Sequence, residues 1–433
     1  MRAQGLARFR IPPSLTRRWR ARLRAQRRWW RERWQSGGER DVLFPAVGGG
    51  MVALETLAGG GAPGPRIAIL HATAGSGHKR AAQALAASIS ALDPSATVQE
   101  VDALVYASRL YRTGYGQGYN VLAQRAPALW GVLYHSWELA PFKRGANTVR
   151  LMDRLNLRRL ARVVERERPD AIVCTHFLPI EALSPPRGGP RLTVPLYCVI
   201  TDFAAHPFWA FGHVDRYFVA SEAVADELAG HGVPRARIEV TGIPIEPRFA
   251  LTLGRDEARR RLGLPTDRPM VLVMGGGSGV GPLAELADRL AALDSRPLVW
   301  VVCGTHERAR AEIEALPAAA RGDVRALGFS NEVDVLLEAC DVLVSKAGGL
   351  TCSEALVKQT PMVIYRPTPG QEVRNARFLE AAGAAVHADS LEDVAACVSR
   401  WLTDPAARER ARSAARGLSH PTAAASIARR VLA

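Results

Sequence analysis

Residues 66–85 read RIAILHATAGSGHKRAAQAL, and three kinds of local chemistry succeed one another within them. The apolar run from Ile67 to Leu70 is continuous rather than alternating, which suits a strand covered on both faces. Small residues follow, with Gly75 and Gly77 allowing a tight turn and close backbone approach to a ligand. From His78 to about residue 92 the alanines and leucines recur at helical spacing. A helix beginning there offers free N–H groups to an anion or oxyanion. The turn has neither the GKS/T ending of a Walker loop nor a full GxGxxG fingerprint. His78 is therefore either a bystander in a phosphate loop or a catalytic base at a helix mouth.

Outward from this unit the β-α pattern repeats. Apolar runs at 66–72, 171–175, 194–200 and 215–220 are separated by helical patterns at 78–92, between 103 and 168, and at 221–231. The alternation pauses over the proline-containing stretch 241–265. It resumes with strand-like runs near 270–275, 298–303, 323–327, 341–345, 361–365 and 384–387. Short apolar strands divided by amphipathic helices predict parallel sheets with helices on both faces. The expectation is an α/β chain of two doubly wound domains, 65–246 and 247–403, joined near 243–250. A tail and glycine-rich linker (1–64) precede them and a helical segment (404–433) follows. Ligand belongs in the cleft between such domains, at the carboxyl ends of the strands.

The net charge of +15 is concentrated at one end. Residues 1–35 carry twelve arginines against one acid, Glu32, and four of the nine tryptophans (Trp19, Trp29, Trp30 and Trp34). The remainder is close to balanced, which argues against nucleic acid as the partner of the folded body. Arginine with tryptophan suits a segment lying in an anionic lipid headgroup layer; a basic extension without fixed structure is the plainer alternative. No apolar run approaches the roughly 20 residues of a membrane span, and the tail has no signal-peptide core. The six cysteines lack metal-ligand spacing and suit free thiols in a reducing compartment. Residues 103–150 hold five of the eight tyrosines, with Trp130 and Trp137. They form either a core-packing helical insertion or a lobe facing membrane and acceptor.

Further glycine turns fall where strands end. VLVMGGGSGVGPL (271–283) is one, and DVLVSKAGGLTCSEAL (341–356) points backbone amides and a helix dipole at a diphosphate. Glu354, one turn into that helix, can accept from ribose hydroxyls. In YRPTPGQEVRNARFL (365–379), Gln371, Glu372 and Asn375 form a polar group suited to hexose hydroxyls. CVITDFAAHPFWAF (198–211) places Asp202 and His206 just past another strand. His176 and His213 read as scaffold residues, and Lys346 as either a phosphate partner or a solvent-facing cation.

Taken in order, GSGHKRAAQAL, CTHFLP, TDFAAHPFW, VDRYFVASE, VTGIPIEPRF, VMGGGSGVG, SKAGGLTCSEAL and PGQEVRNARFL resemble the monogalactosyldiacylglycerol synthase and processive diacylglycerol glucosyltransferase family over about 66–386. The chain is more distantly similar to the peptidoglycan N-acetylglucosaminyltransferase that makes lipid II. The resemblance implies the GT-B fold, two Rossmann-like domains facing each other, with acceptor on the first and UDP-sugar mainly on the second. It implies His78 as general base on the acceptor hydroxyl. Asp202 and His206 match a family signature near the acceptor. Gly277 and Gly279 fall beside the diphosphate, and the backbone at Phe329 at the uracil. Gly349, Leu350 and Thr351 face the phosphates, Glu354 the ribose, and Gln371, Glu372 and Asn375 the sugar.

The implied reaction is inverting transfer of glucose or galactose from a UDP-sugar to diacylglycerol or a related lipid. It is expected at the cytoplasmic face of a membrane, as a peripheral enzyme on an anionic surface. No Asp-x-Asp signature is present, so no obligate cofactor or metal is expected, with room for stimulation by Mg²⁺ or anionic lipid. A UDP-sugar 2-epimerase of the same fold and a non-catalytic UDP-sugar sensor are the alternatives.

Overall fold

The computed structural model describes residues 64–73, 75–117, 152–185, 192–277, 279 and 281–433. The basic tail, most of the linker, and the part of the aromatic segment at 118–151 lie outside the described residues, and so do the expectations placed on them.

Among the described residues, twelve parallel strands form two sheets of six. The first contains β1 (Arg66–His71), β2 (Thr97–Asp102), β3 (Ala171–Cys174), β4 (Leu196–Val199), β5 (Arg216–Val219) and β6 (Ile238–Val240), in the spatial order β2-β1-β3-β4-β5-β6. The second contains β7 (Met270–Met274), β8 (Leu298–Val302), β9 (Val324–Leu327), β10 (Val342–Ser345), β11 (Met362–Tyr365) and β12 (Ala385–Ala388), in the order β12-β11-β10-β7-β8-β9. The cleft is framed by helices α1 (Ser76–Leu92), α2 (Phe177–Ala182), α3 (Glu222–Gly230), α4 (Gly349–Val357) and α5 (Gln371–Ala381). The chain ends in α6 (Pro405–Gly417) and α7 (Ala423–Leu432).

Strand periodicity divides each sheet between two cores. Along β7, Met270, Leu272 and Met274 join a core shared by both sheets, while Val271 and Val273 point into the outer core of the second domain. Along β1, Ala68 and Leu70 belong to the shared core and Ile67 and Ile69 to the outer core of the first domain. Residues two apart share a face, so the continuous apolar runs are used on both sides, as the sequence implies. Two strands escape that reading. Both β2 (TVQEVD) and β6 (IEV) are edge strands of the first sheet, with one outer side and a weaker apolar signal.

In each sheet the strand order reverses at one place, between β1 and β3 in the first and between β7 and β10 in the second. Connections leave such a point on opposite faces and open a crevice at the carboxyl ends. The glycine turns after β1, β7 and β10 therefore all arise at switch points.

The C-terminal segment 404–433 divides. Helix α6 stays with the second domain, whereas α7 returns to pack on α1. Ala424, Ile427, Ala428 and Val431 form its apolar stripe and close the outer core over Ile67, Ile69, Leu85 and Ile89. Spacing of this kind is one helical face. Ile427→Ala removes a fully buried side chain from this lid, and the folded state is expected to lose about 2–5 kcal/mol. Urea unfolding measures it, and an unchanged midpoint contradicts this packing.

Candidate active site at the interdomain cleft

His78 is the third residue of α1. Its Nδ1 lies 2.7 Å from the Thr175 carbonyl and 3.0 Å from Thr201 Oγ1. A carbonyl only accepts, so Nδ1 carries the proton and Nε2 keeps the lone pair. Thr175 also donates from Oγ1 to the His78 carbonyl at 2.9 Å, holding the first turn of α1 against the end of β3. Burial lowers the His78 pKa to about 4, the Thr175 carbonyl opposing and the nearby His71 reinforcing that shift. The ring is thus a neutral base at physiological pH. His176 meets it edge-on, ring centroids 4.5 Å apart, and is itself held well below the usual imidazole range by burial and by His78 and His71. Nδ1 of His176 accepts from the Leu178 N–H and caps α2. Trp209 stands 6.4 Å from both rings. His176 is thus a buried scaffold residue packed against His78.

Asp202 begins the loop after β4. Its Oδ1 accepts from Asn375 Nδ2 at 2.9 Å, which brings a residue of the first domain to one of the second. Burial raises its pKa to about 6, against the Asn375 hydrogen bond, with Glu372 adding to the rise and Arg374 opposing it. Fully buried Asn375 also donates to the Ala347 carbonyl at 2.9 Å and accepts from the Phe203 N–H at 2.8 Å. One amide proton and the amide oxygen therefore join the domains, and the other proton holds the turn after β10. Phe203 and Phe378 stack beside this contact, centroids 5.3 Å apart, and Arg374 pairs with Glu227 of α3. His206 is placed differently from Asp202. It caps the turn Pro207–Trp209 through Nδ1, which accepts from the Phe208 N–H, and its ring lies 4.1 Å from that of Phe208.

The glycines in the turns of the second domain are close-approach positions. A Cβ on Gly349 would lie 1.9 Å from the Thr201 carbonyl oxygen, so only glycine lets α4 start against the first domain. Gly279 has φ +59°, and its Cβ would lie 2.0 Å from the Cys303 carbonyl oxygen. A Cβ on Gly277 would stand 3.0 Å from Ser76 Oγ, so the turn after β7 faces the turn after β1. Leu350 reaches across as well, its Cδ2 being 3.6 Å from where a Cβ on Gly77 would be. Thr351 follows in the first turn of α4. Gln371 and Glu372 open α5; Glu372 accepts from the Thr368 N–H at 2.6 Å, and its Oε1 is 3.7 Å from Lys346 Nζ. Phe329 lies beyond β9, at the far edge of the second sheet, with 69 % of its surface exposed.

Glu354 is 1 % exposed and takes a guanidinium nitrogen of Arg80 on Oε1 at 2.8 Å; its Oε2 has no hydrogen-bond partner among the described residues. Burial raises its pKa to about 7, with Arg80 the main opposing influence. Arg80 was not read as a site residue. The signal was present, because Lys79 and Arg80 stand near the N-terminus of a helix with no acid in its first turn. Positive charge there opposes the helix dipole and asks for an anion from elsewhere in the fold. Thr175 and Thr201 carry no comparable sequence signal, since they act by where β3 and β4 end.

Residues 78–245 match the family model of monogalactosyldiacylglycerol (MGDG) synthase, and residues 254–418 match that of glycosyl transferases group 1. The processive diacylglycerol beta-glucosyltransferase of Bacillus mycoides is 32% identical over 277 residues, covering 64% of this chain and 71% of the relative. The protein of the same name from Bacillus pumilus is 32% identical over 248 residues, covering 57% of this chain; the match spans 64% of that relative's length, short of two thirds. Among solved structures, MurG of Acinetobacter baumannii aligns with TM-score 0.52 at 16% identity, over 85% of this chain and 99% of that one. The UDP-GlcNAc 2-epimerase of Neisseria meningitidis aligns with TM-score 0.54 at 12% identity, over 85% and 99% respectively. Those structural likenesses show the fold. With its two parallel sheets on the GT-B plan and these matches on either side of the cleft, the chain belongs to the monogalactosyldiacylglycerol synthase and processive diacylglycerol glucosyltransferase family.

Proposed function

We propose that this protein is an inverting hexosyltransferase that moves a sugar from a UDP-sugar to the hydroxyl of diacylglycerol. One observation carries the proposal: a neutral imidazole, proton fixed on Nδ1 and lone pair on Nε2, stands at the helix mouth opposite the donor-side glycine turns. The acceptor oxygen attacks the anomeric carbon, its proton passes to Nε2 of His78, and the bond to the diphosphate breaks with UDP taking the electron pair. Single displacement turns an α-linked donor into a β-glycoside. The relatives' printed names, beta-glucosyltransferases, support glucose as the hexose.

In this reading Gly277, Gly279, Gly349, Leu350 and Thr351 surround the diphosphate, and the N-terminus of α4 supports the charge growing on it. Phe329 meets the uracil through its backbone, Glu354 the ribose, and Gln371 and Glu372 the hexose. Asn375 serves the site by holding Asp202 and the Ala347 carbonyl, because both its amide protons are taken there. Asp202 lines the acceptor side, and His206 shapes the loop that carries it. No described helix is long and apolar enough to cross a membrane, and a lipid acceptor requires contact with a membrane surface. The reading places the enzyme peripherally at an anionic cytoplasmic face.

The full chain, incubated with diacylglycerol vesicles containing anionic lipid and with UDP-glucose or UDP-galactose, is expected to form a β-hexosyl diacylglycerol, detected by mass spectrometry. UDP-sugar isomerised without a lipid product would point to the epimerase instead, and UDP binding with no turnover to the sensor. His78→Ala is expected to reduce turnover by roughly 10²–10⁴-fold, the range for general acid–base catalysis, while calorimetry finds UDP affinity unchanged. Near-normal turnover removes His78 as the base. In the pH profile of kcat at saturating donor, the limb belonging to His78 is expected near pH 4, far below the about 6.5 of an unperturbed imidazole. A His78-dependent limb between pH 6 and 7 contradicts the neutral ring.

A further inference from the structure

The buried Glu354 carboxylate is satisfied on one side only. Oε1 is held at 2.8 Å by Arg80, a residue of the opposite domain, while Oε2 is buried without a hydrogen-bond partner among the described residues. Leaving such an atom unpaired is costly, and a native fold tolerates it where a ligand completes it. We infer that Arg80 is a positioning residue of the donor site: from the acceptor-side helix it keeps Glu354 as a carboxylate whose second oxygen accepts from a ribose hydroxyl of the donor. The inference rests on the reading that Glu354 meets the ribose.

Among the surrounding charges Arg80 does most of this task, with Arg248 acting in the same direction more weakly. Glu246 and Arg248, on the connection between the domains, and Asp334, on the helix Val333–Ala339, are the other charged groups acting on Glu354. Arg248 is engaged with Glu246 at 2.9 Å and stands 3.9 Å from Asp334. Glu246 and Asp334 both disfavour a second carboxylate nearby. Arg80 is 3.8 Å from Glu246 but 2.8 Å from Glu354, so its closer bond goes to the buried acid. With Arg80 present the Glu354 pKa stands at about 7, and removing an adjacent guanidinium moves a carboxyl pKa upward by about 1–3. The geometry also has a mechanical consequence. Arg80 lies two residues after His78 on α1, so a donor that engages Glu354 meets the helix carrying the base.

The test compares UDP with 2′-deoxy-UDP by calorimetry on the full chain between pH 6 and pH 9. The ratio of the two affinities removes the titration of the nucleotide itself. The parent protein is expected to prefer UDP by roughly 10–100-fold at pH 9, the effect of one hydrogen bond to a charged group. That preference should fall as pH drops through about 7, because protonated Glu354 loses its acceptor. Arg80→Gln should displace the fall upward, so that UDP is preferred at pH 9 but hardly at pH 7.5, and Arg80→Lys should restore the parent profile. An Arg80→Gln profile that superimposes on the parent's overturns the inference. So does one lowered by the same factor at every pH, which is the mark of a purely structural residue. Equal affinity for the two nucleotides in the parent at pH 9 overturns the ribose reading itself, independently of the variants. Thermal melting establishes that each variant is folded, and the parent profile stands as a test should the glutamine variant not fold.

Discussion

Asn375 sits fully buried between two sheets and spends its amide on both of them. Its carbonyl accepts from Phe203 and its two protons go to Asp202 and Ala347, so the end of β4 and the turn after β10 are held at one distance. A buried amide that loses such partners is left with desolvated polar atoms, at about 1–3 kcal/mol for each. The contact is therefore specific to one docking of the domains. Gly349 makes the same demand sterically, because its Cα meets the Thr201 carbonyl with no room for a side chain. Around these two contacts the loop from Thr201 to Ala205 becomes the floor of the cleft, and His78 is held from below by Thr201.

Burial then sets the acid–base character of the cleft. Removing water disfavours whichever form of a group is charged, and the groups shift in the directions this requires. His78 and His176 fall, whereas Asp202 and Glu354 rise. One dry environment thus supplies a neutral base and two carboxyl groups that titrate near neutrality. Their ionisation depends on Asn375 for Asp202 and on Arg80 for Glu354. Each of those partners comes from the opposite domain, so charge and closure are linked in the same pair of contacts.

The strands buried on both faces were legible because a continuous apolar run has few other uses, and ten of the twelve stand close to where periodicity puts them. β2 and β6 were missed because TVQEVD mixes polar with apolar residues and is only half-buried, and IEV is three residues long. Among the candidate site residues, His78, Gly349 and Glu354 were legible as members of strand-turn-helix units. His206 caps the turn Pro207–Trp209, a contact its residue type did not announce. Asn375, grouped with the hexose ligands by its helical spacing, is occupied at the domain contact. Arg80 was hidden inside a helix pattern, although its position against the dipole was an anomaly available to inspection.

Local chemistry alone determined that this chain would form two parallel α/β domains with glycine turns at the carboxyl ends of strands. Backbone sterics, helical spacing and strand burial act between near neighbours, and the order of residues records them directly. Pairings of residues 97 or more positions apart were decided only in the folded protein: Thr175 with His78, Asn375 with Asp202, and Arg80 with Glu354. Each depends on where strands end and how the two sheets dock. Desolvation, which shifts the titration of His78 and Glu354, arises only once that docking has excluded water.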